Sequence, residues 1–151
     1  MVWRYAVSIF SCFILSHVQA RVSPINTGLQ NRIQIKPELV IKEGERPDLV
    51  LFLNGLPIIV IELKHEKNQT VHDAVTQFNN RNHDDKIFSL PFLYVAMDTS
   101  EIKVATNPRL ESHFRWYNAG LENAPQTESE YPVKFFYRDV LADVTRFWRA
   151  S

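Results

Sequence analysis

Two carboxylates and an ammonium, Asp48, Glu62 and Lys64, stand at the ends of an otherwise apolar block, RPDLVLFLNGLPIIVIELK, running from Arg46 to Lys64. Carboxylate oxygens are hard donors suited to Mg²⁺, which takes one or two of them and completes its shell with water or phosphate. A lysine two residues beyond Glu62 lies on the same face of a strand. From there it can orient or deprotonate a water, or pair with charge developing in a transition state. These types fit phosphodiester hydrolysis, which needs an activated water, a neutralised phosphate and a stabilised leaving oxygen. Mg²⁺ supplies the last two and lowers the pKa of bound water. The catalytic candidates are therefore Asp48, Glu62 and Lys64, and the metal candidates are Asp48, Glu62 and the backbone carbonyl of Leu63. A plainer reading is an Asp before a strand and a Glu-x-Lys on a wet sheet face, both common. Against it, the neighbours are almost continuously apolar, as in a strand covered on both faces. A charge there is costly unless paired or metal-bound.

The elements that position these residues are two strands. Leu49–Leu53 and Ile58–Leu63 are apolar runs separated by Asn54-Gly55, a strong hairpin signal because both residues tolerate positive φ. A two-residue loop pairs Leu53 with Leu56 and sets Asp48 opposite Ile61. A three-residue loop, Asn54-Gly55-Leu56, pairs Leu53 with Pro57 and sets Asp48 opposite Glu62, with Lys64 on the same face. Pro57 has no N–H and belongs at a strand start, which favours the longer loop.

Pro47-Asp48 followed by Glu62-Leu63-Lys64 resembles the PD-(D/E)xK nuclease motif. The phrase LVLFLNGLPIIVIELK is similar to the core of the N-terminal nuclease domain of type I restriction enzyme R subunits. The resemblance continues upstream at Asn31–Ile35 and downstream in NQTVHDAVTQFNNR, Asn68–Arg81, which includes Gln77. It extends to LYVAMDTSEIKVATNP, Leu93–Pro108, and YPVKFFYRDVL, Tyr131–Leu141, so that it covers about residues 30–148. It implies an α/β (α+β) fold of restriction-endonuclease-like type, a central mixed sheet flanked by helices. It also implies Mg²⁺-dependent cleavage of double-stranded DNA, with the same three catalytic positions. Gln77 and Arg81 become candidates for DNA contact or for support of the site. Many relatives carry a tyrosine where this chain has Arg81.

The chain has 151 residues, 17 Lys+Arg against 17 Asp+Glu, and 45% hydrophobic residues. That is enough for one domain with a real core, and too apolar for a disordered chain. A free-standing DNA binder is usually basic, so zero formal charge argues against tight DNA binding by this domain alone. The single cysteine, Cys12, excludes an internal disulfide, and the histidines show no metal-ligand spacing. Residues 1–20 carry Arg4, an apolar run from Ala6 to Leu15 and Val18-Gln19-Ala20, a pattern resembling a secretory signal. The run is too short to span a membrane. Residues 21–29 read as a linker and 30–151 as the nuclease-like domain, truncated and without a translocase.

Within that domain, Asn31–Ile41, broken by Pro37, reads as an edge strand. Thr70 offers a helix N-cap, and Val71, Ala74, Val75 and Phe78 recur with helical spacing. Gln77 shares that helix and can face the open end of the hairpin or point to solvent. Phe88–Met97 reads as a buried strand, Glu101–Thr106 as the next, and Arg115–Tyr117 as the end of another. Residues 118–132 read as a loop, and Arg138–Arg149 carries a helical apolar stripe. No G-x-x-x-x-G-K-[ST] occurs, so no ATP site is expected in this chain. The resemblance implies methyltransferase and specificity subunits as partners, and a cytoplasmic place of work. Two alternatives are an inactive remnant or scaffold that binds DNA or partner subunits, and an exported binding protein or nuclease if residues 1–20 act as a signal.

Overall fold

The computed structural model describes residues 32–64, 69–98 and 101–117. The signal-like segment, the linker, the 118–132 loop and the stripe at 138–149 lie outside the described residues. Six strands form one mixed sheet in sequence order: β1 Ile33–Pro37, β2 Leu49–Leu53, β3 Leu56–Leu63, β4 Leu93–Met97, β5 Ile102–Ala105 and β6 Arg115–Trp116. Among the described residues only β3 and β4 pair in parallel. Their crossover holds helix α1, Val71–Asn79, and a single helical turn, α2, Lys86–Ser89. The architecture is the expected α/β one of restriction-endonuclease-like type, with β1 an edge strand.

The central hairpin reaches the expected site register by a different route. Asn54 and Gly55 adopt φ of 52° and 85°, the two positive values of the tight turn that matches strand twist. Leu53 therefore pairs with Leu56, and Phe52 with Pro57; the loop has two residues, not three. The ladder then slips, and Leu51 pairs with Ile59, Val50 with Val60 and Leu49 with Ile61. Ile58 is the extra residue, a β-bulge. One step beyond Leu49, Asp48 comes opposite Glu62. The longer loop was not needed, because the proline sits beside the bulge, where the ladder is already interrupted. Ile58 accordingly packs in the same core cluster as Ile59 and Ile61, which strict alternation forbids.

The sheet separates two apolar clusters. One face gathers Leu49, Leu51, Ile59, Ile61, Val95 and Met97. The other gathers Val50, Val60, Tyr94 and Ala96 with the buried stripe of α1, Val71, Ala74, Val75 and Phe78. Phe78 is fully buried between Tyr94, edge-on at 5.9 Å, and Phe114, stacked at 5.7 Å. Side-chain period 2 puts Asp48 and Glu62 on this helix-covered face, beyond Val50 and Val60.

The N-terminus of α1 is fixed twice. The Asp73 carboxylate accepts the Thr70 N–H at 2.7 Å and the Thr70 hydroxyl at 3.1 Å, the reciprocal half of a capping box. Asp98, at the end of β4, accepts the Val71 N–H at 3.2 Å. The strand reading of Phe88–Met97 holds only for Leu93–Met97. Residues 86–89 form a helical turn whose Phe88 carbonyl accepts the Tyr94 hydroxyl at 2.8 Å. Aromatic and apolar residues around Pro91 mask this turn in the sequence.

Candidate functional site

Asp48 enters the site just before β2, and Glu62 and Lys64 at the end of β3. The Leu63 N–H donates to Asp48 Oδ2 at 2.7 Å, clamping the two strands at the open end of the hairpin. Leu63 thus meets Asp48 through its N–H. Asp48 and Glu62 lie close enough for each to feel the other's charge. Glu62 is fully buried, at 0% exposure. Burial first, and repulsion from Asp48 second, push its pKa up to about 8, against the pull of Arg81 and Lys64. Burial also raises Asp48, opposed by the Leu63 N–H and Lys64. Arg81 sits on Glu62 at 2.7 Å, yet one guanidinium does not offset both desolvation and a second carboxylate. The two acids therefore titrate as a coupled pair that retains a proton well above the usual carboxylate range.

Helix α1 and the residues just past its end supply the rest. Gln77 points into the site: its Nε2 donates to Glu62 Oε2 at 2.8 Å, and its Oε1 accepts from Lys64 Nζ. The amide thereby links the lysine to the carboxylate, aligning Lys64 beside the acidic pair. Arg81, two residues past the end of α1, is buried. Its Nε and Nη2 donate to Glu62 Oε1 at 3.1 and 2.7 Å, its Nη1 to Glu45 Oε2 at 3.1 Å, and its Nη2 also to the Arg46 carbonyl at 3.0 Å. The guanidinium lies 5.4 Å from the centre of the Phe88 ring, a cation–π contact. Arg81 therefore stands in a supporting position, with its donors turned inward. Glu45, at the end of a tight turn that pairs it with Lys42, anchors Arg81 from the far side. The apolar-block pattern gave no signal for it, since its partner is 36 residues away.

Among the described residues no group of three or more His, Cys, Asp and Glu side chains is gathered for a metal. The site offers two carboxylates, the number Mg²⁺ uses where phosphate and water complete its shell. Two adjacent acids, both raised by burial, are a fit for a hard dication, which would replace the retained proton. Among the described residues, no helix is long and apolar enough to cross a membrane.

Fold and site together define an α/β domain of restriction-endonuclease-like type, with a carboxylate pair and a lysine gathered at one end of its central hairpin. A family model for the type I restriction enzyme R protein N terminus matches residues 19–113, and the chain belongs to that family. Two relatives come from Methanocaldococcus jannaschii. One carries the provisional name type I restriction enzyme MjaIXP endonuclease subunit and is 50% identical over 64 residues, 40% of this chain and 6% of that protein. The other, provisionally the MjaVIIIP endonuclease subunit, is 30% identical over 81 residues, 48% of this chain and 8% of that protein. The chain thus spans less than a tenth of the length of the curated relatives it matches.

Proposed function

We propose that this domain is the nuclease module of a type I restriction R subunit, hydrolysing phosphodiester bonds of double-stranded DNA. The observation that carries the reading is the coupled Asp48–Glu62 pair with Lys64 linked to it through Gln77, in a chain of this family. Asp48 and Glu62 would hold Mg²⁺, with the Leu63 carbonyl the remaining protein donor. Bound there, Mg²⁺ would neutralise phosphate charge and lower the pKa of a water. Lys64 Nζ is the group that orients that water or meets charge developing on the phosphate. Gln77 keeps the ammonium in place, and Arg81 keeps Glu62 in one rotamer. Methyltransferase and specificity subunits are the proposed partners, as the family resemblance implies, and the zero formal charge of the chain supports a reading in which DNA is held with their help.

The test is calorimetric titration of Mg²⁺ into the wild type and Glu62→Ala, followed by plasmid cleavage with Asp48→Ala and Lys64→Ala. Saturable binding lost in the Glu62 variant, and cleavage lost in folded Asp48 and Lys64 variants, is the expected result. A second reading, an inactive scaffold, is favoured by the protein donors already bonded to both Glu62 oxygens, two on Oε1 and one on Oε2. It predicts no cleavage by the wild type in a reconstituted complex and no effect of Lys64→Ala on any binding.

A further inference from the structure

We propose that Arg46 is the phosphate-gripping residue of this site, holding the DNA backbone beside the phosphate at Asp48 and Glu62, while Arg81 fixes Arg46 without touching nucleic acid. The assignment rests on the nuclease reading and adds to it the residue that seats the strand. A cleft of about 440 Å³ is lined by Lys42, Glu43, Arg46, Gln77 and Arg81 among others, and two of these, Gln77 and Arg81, are bonded to Glu62. The cations around the site differ in what already holds them. Arg81 is buried and spends its Nε and both terminal nitrogens on Glu62, Glu45 and the Arg46 carbonyl. Lys64 is engaged by Gln77, and Lys42 by Asp85 at 3.0 Å. Arg46 is exposed, and among the described residues its side chain has no partner.

Its backbone, by contrast, is fixed. The carbonyl is held by Arg81 Nη2 at 3.0 Å, the next residue is buried Pro47 with its locked φ, and Asp48 follows. Two extended residues span at most about 7 Å, so the guanidinium works within reach of a phosphate flanking the one at the carboxylates. A planar guanidinium suits phosphate oxygens, which accept its paired donors. The site also needs such a cation. Among the described residues, Arg81 and Lys64 are the cations set against Asp48, Glu62 and Glu45, so an anionic strand meets an acidic floor unless the rim holds it.

The experiment is fluorescence polarisation of a labelled DNA duplex, with Ca²⁺ in place of Mg²⁺, over a range of salt. Arg46→Ala is expected to weaken binding several-fold and to lower the slope of log affinity against log salt by about 0.9, the value for one phosphate contact. Between about 50 and 200 mM salt, that is a loss of affinity about 3.5-fold smaller than in the wild type. Calorimetric binding of the dication should not change, because Arg46 is not a ligand. Arg81→Met, read below its melting temperature, should keep the wild-type slope. A wild-type slope in Arg46→Ala, or a slope lowered by Arg81→Met instead, overturns the assignment while leaving the nuclease reading in place. A wild type that binds dication but no duplex also overturns the assignment of Arg46, and the nuclease reading then stands or falls on the cleavage assay alone.

Discussion

Replacing Glu62 by glutamine in the metal-free protein tests the electrostatics of the site directly. The folded protein holds the Glu62 proton up to about pH 8, against 4.5 for the ordinary side chain. Between those values the folded state binds a proton that the unfolded chain has released, so stability falls as pH rises. The contribution is fully present below about pH 4.5 and gone once pH has passed about 8. A displacement of that size sets an upper limit of about 5 kcal/mol, at roughly 1.36 kcal/mol per pKa unit. That is a large share of the roughly 5–15 kcal/mol typical of a domain. The substituted amide cannot titrate. It also places an NH₂ group where Gln77 Nε2 now donates, which costs a hydrogen bond at every pH. The readout is therefore the slope and not the offset: urea unfolding in EDTA from about pH 5 to 9, wild type minus variant. The difference should shrink steadily with rising pH. A difference that is flat, or that grows, would mean Arg81 keeps Glu62 ionised in the fold, and the reasoning from burial and repulsion would fail.

Arg81→Met should cost about 3–5 kcal/mol in chemical denaturation, because it leaves Glu45 and the charge that the Asp48–Glu62 pair carries after giving up its first proton without their guanidinium. Arg81→Lys should recover only part of that loss, since an ammonium cannot bridge Glu62, Glu45 and the Arg46 carbonyl together. Gly55→Ala, at φ 85°, should destabilise by about 1–2 kcal/mol, the cost of a left-handed L residue; an unchanged melting temperature would contradict the turn assignment. Phe78→Ala should cost about 3–5 kcal/mol and, by loosening α1, weaken the Gln77 and Arg81 contacts. Calorimetry of dication binding would then weaken along with stability.

The hairpin was legible because its signals are local: Asn-Gly, apolar runs on either side, and charges only at the ends. Its bulge was not, since Ile58 is as apolar as its neighbours and leaves no mark on the pattern. The α1 stripe was readable from spacing, but Gln77's place on that helix left it free to face the site or solvent, and only the fold decides between them. The Arg81–Glu45 pair was not readable, because only the folded sheet brings residues 45, 62 and 81 together. The helical turn at 86–89 was lost to composition: Phe88 and Leu90 look like strand residues, but Phe88 turns inward to lie under Arg81.

The bulge at Ile58 stores one spare residue between the turn and the acids, and that residue has two places to go. Here the loop is short and the ladder carries the excess, between the Phe52–Pro57 and Leu51–Ile59 pairs. Moved into the loop, it would pair Leu53 with Pro57 and Phe52 with Ile58, and leave Leu51 opposite Ile59. The open end would not register the exchange. Deleting Ile58 would remove the excess altogether and give a regular ladder, again with Asp48 opposite Glu62. What the site cannot absorb is a short loop with Ile58 drawn into regular pairing. Asp48 would then face Ile61, and Glu62 and Lys64 would turn to the opposite side of the sheet. The turn of this hairpin can therefore lengthen or shorten without rephasing the acids, as long as the bulge gives or takes the same residue.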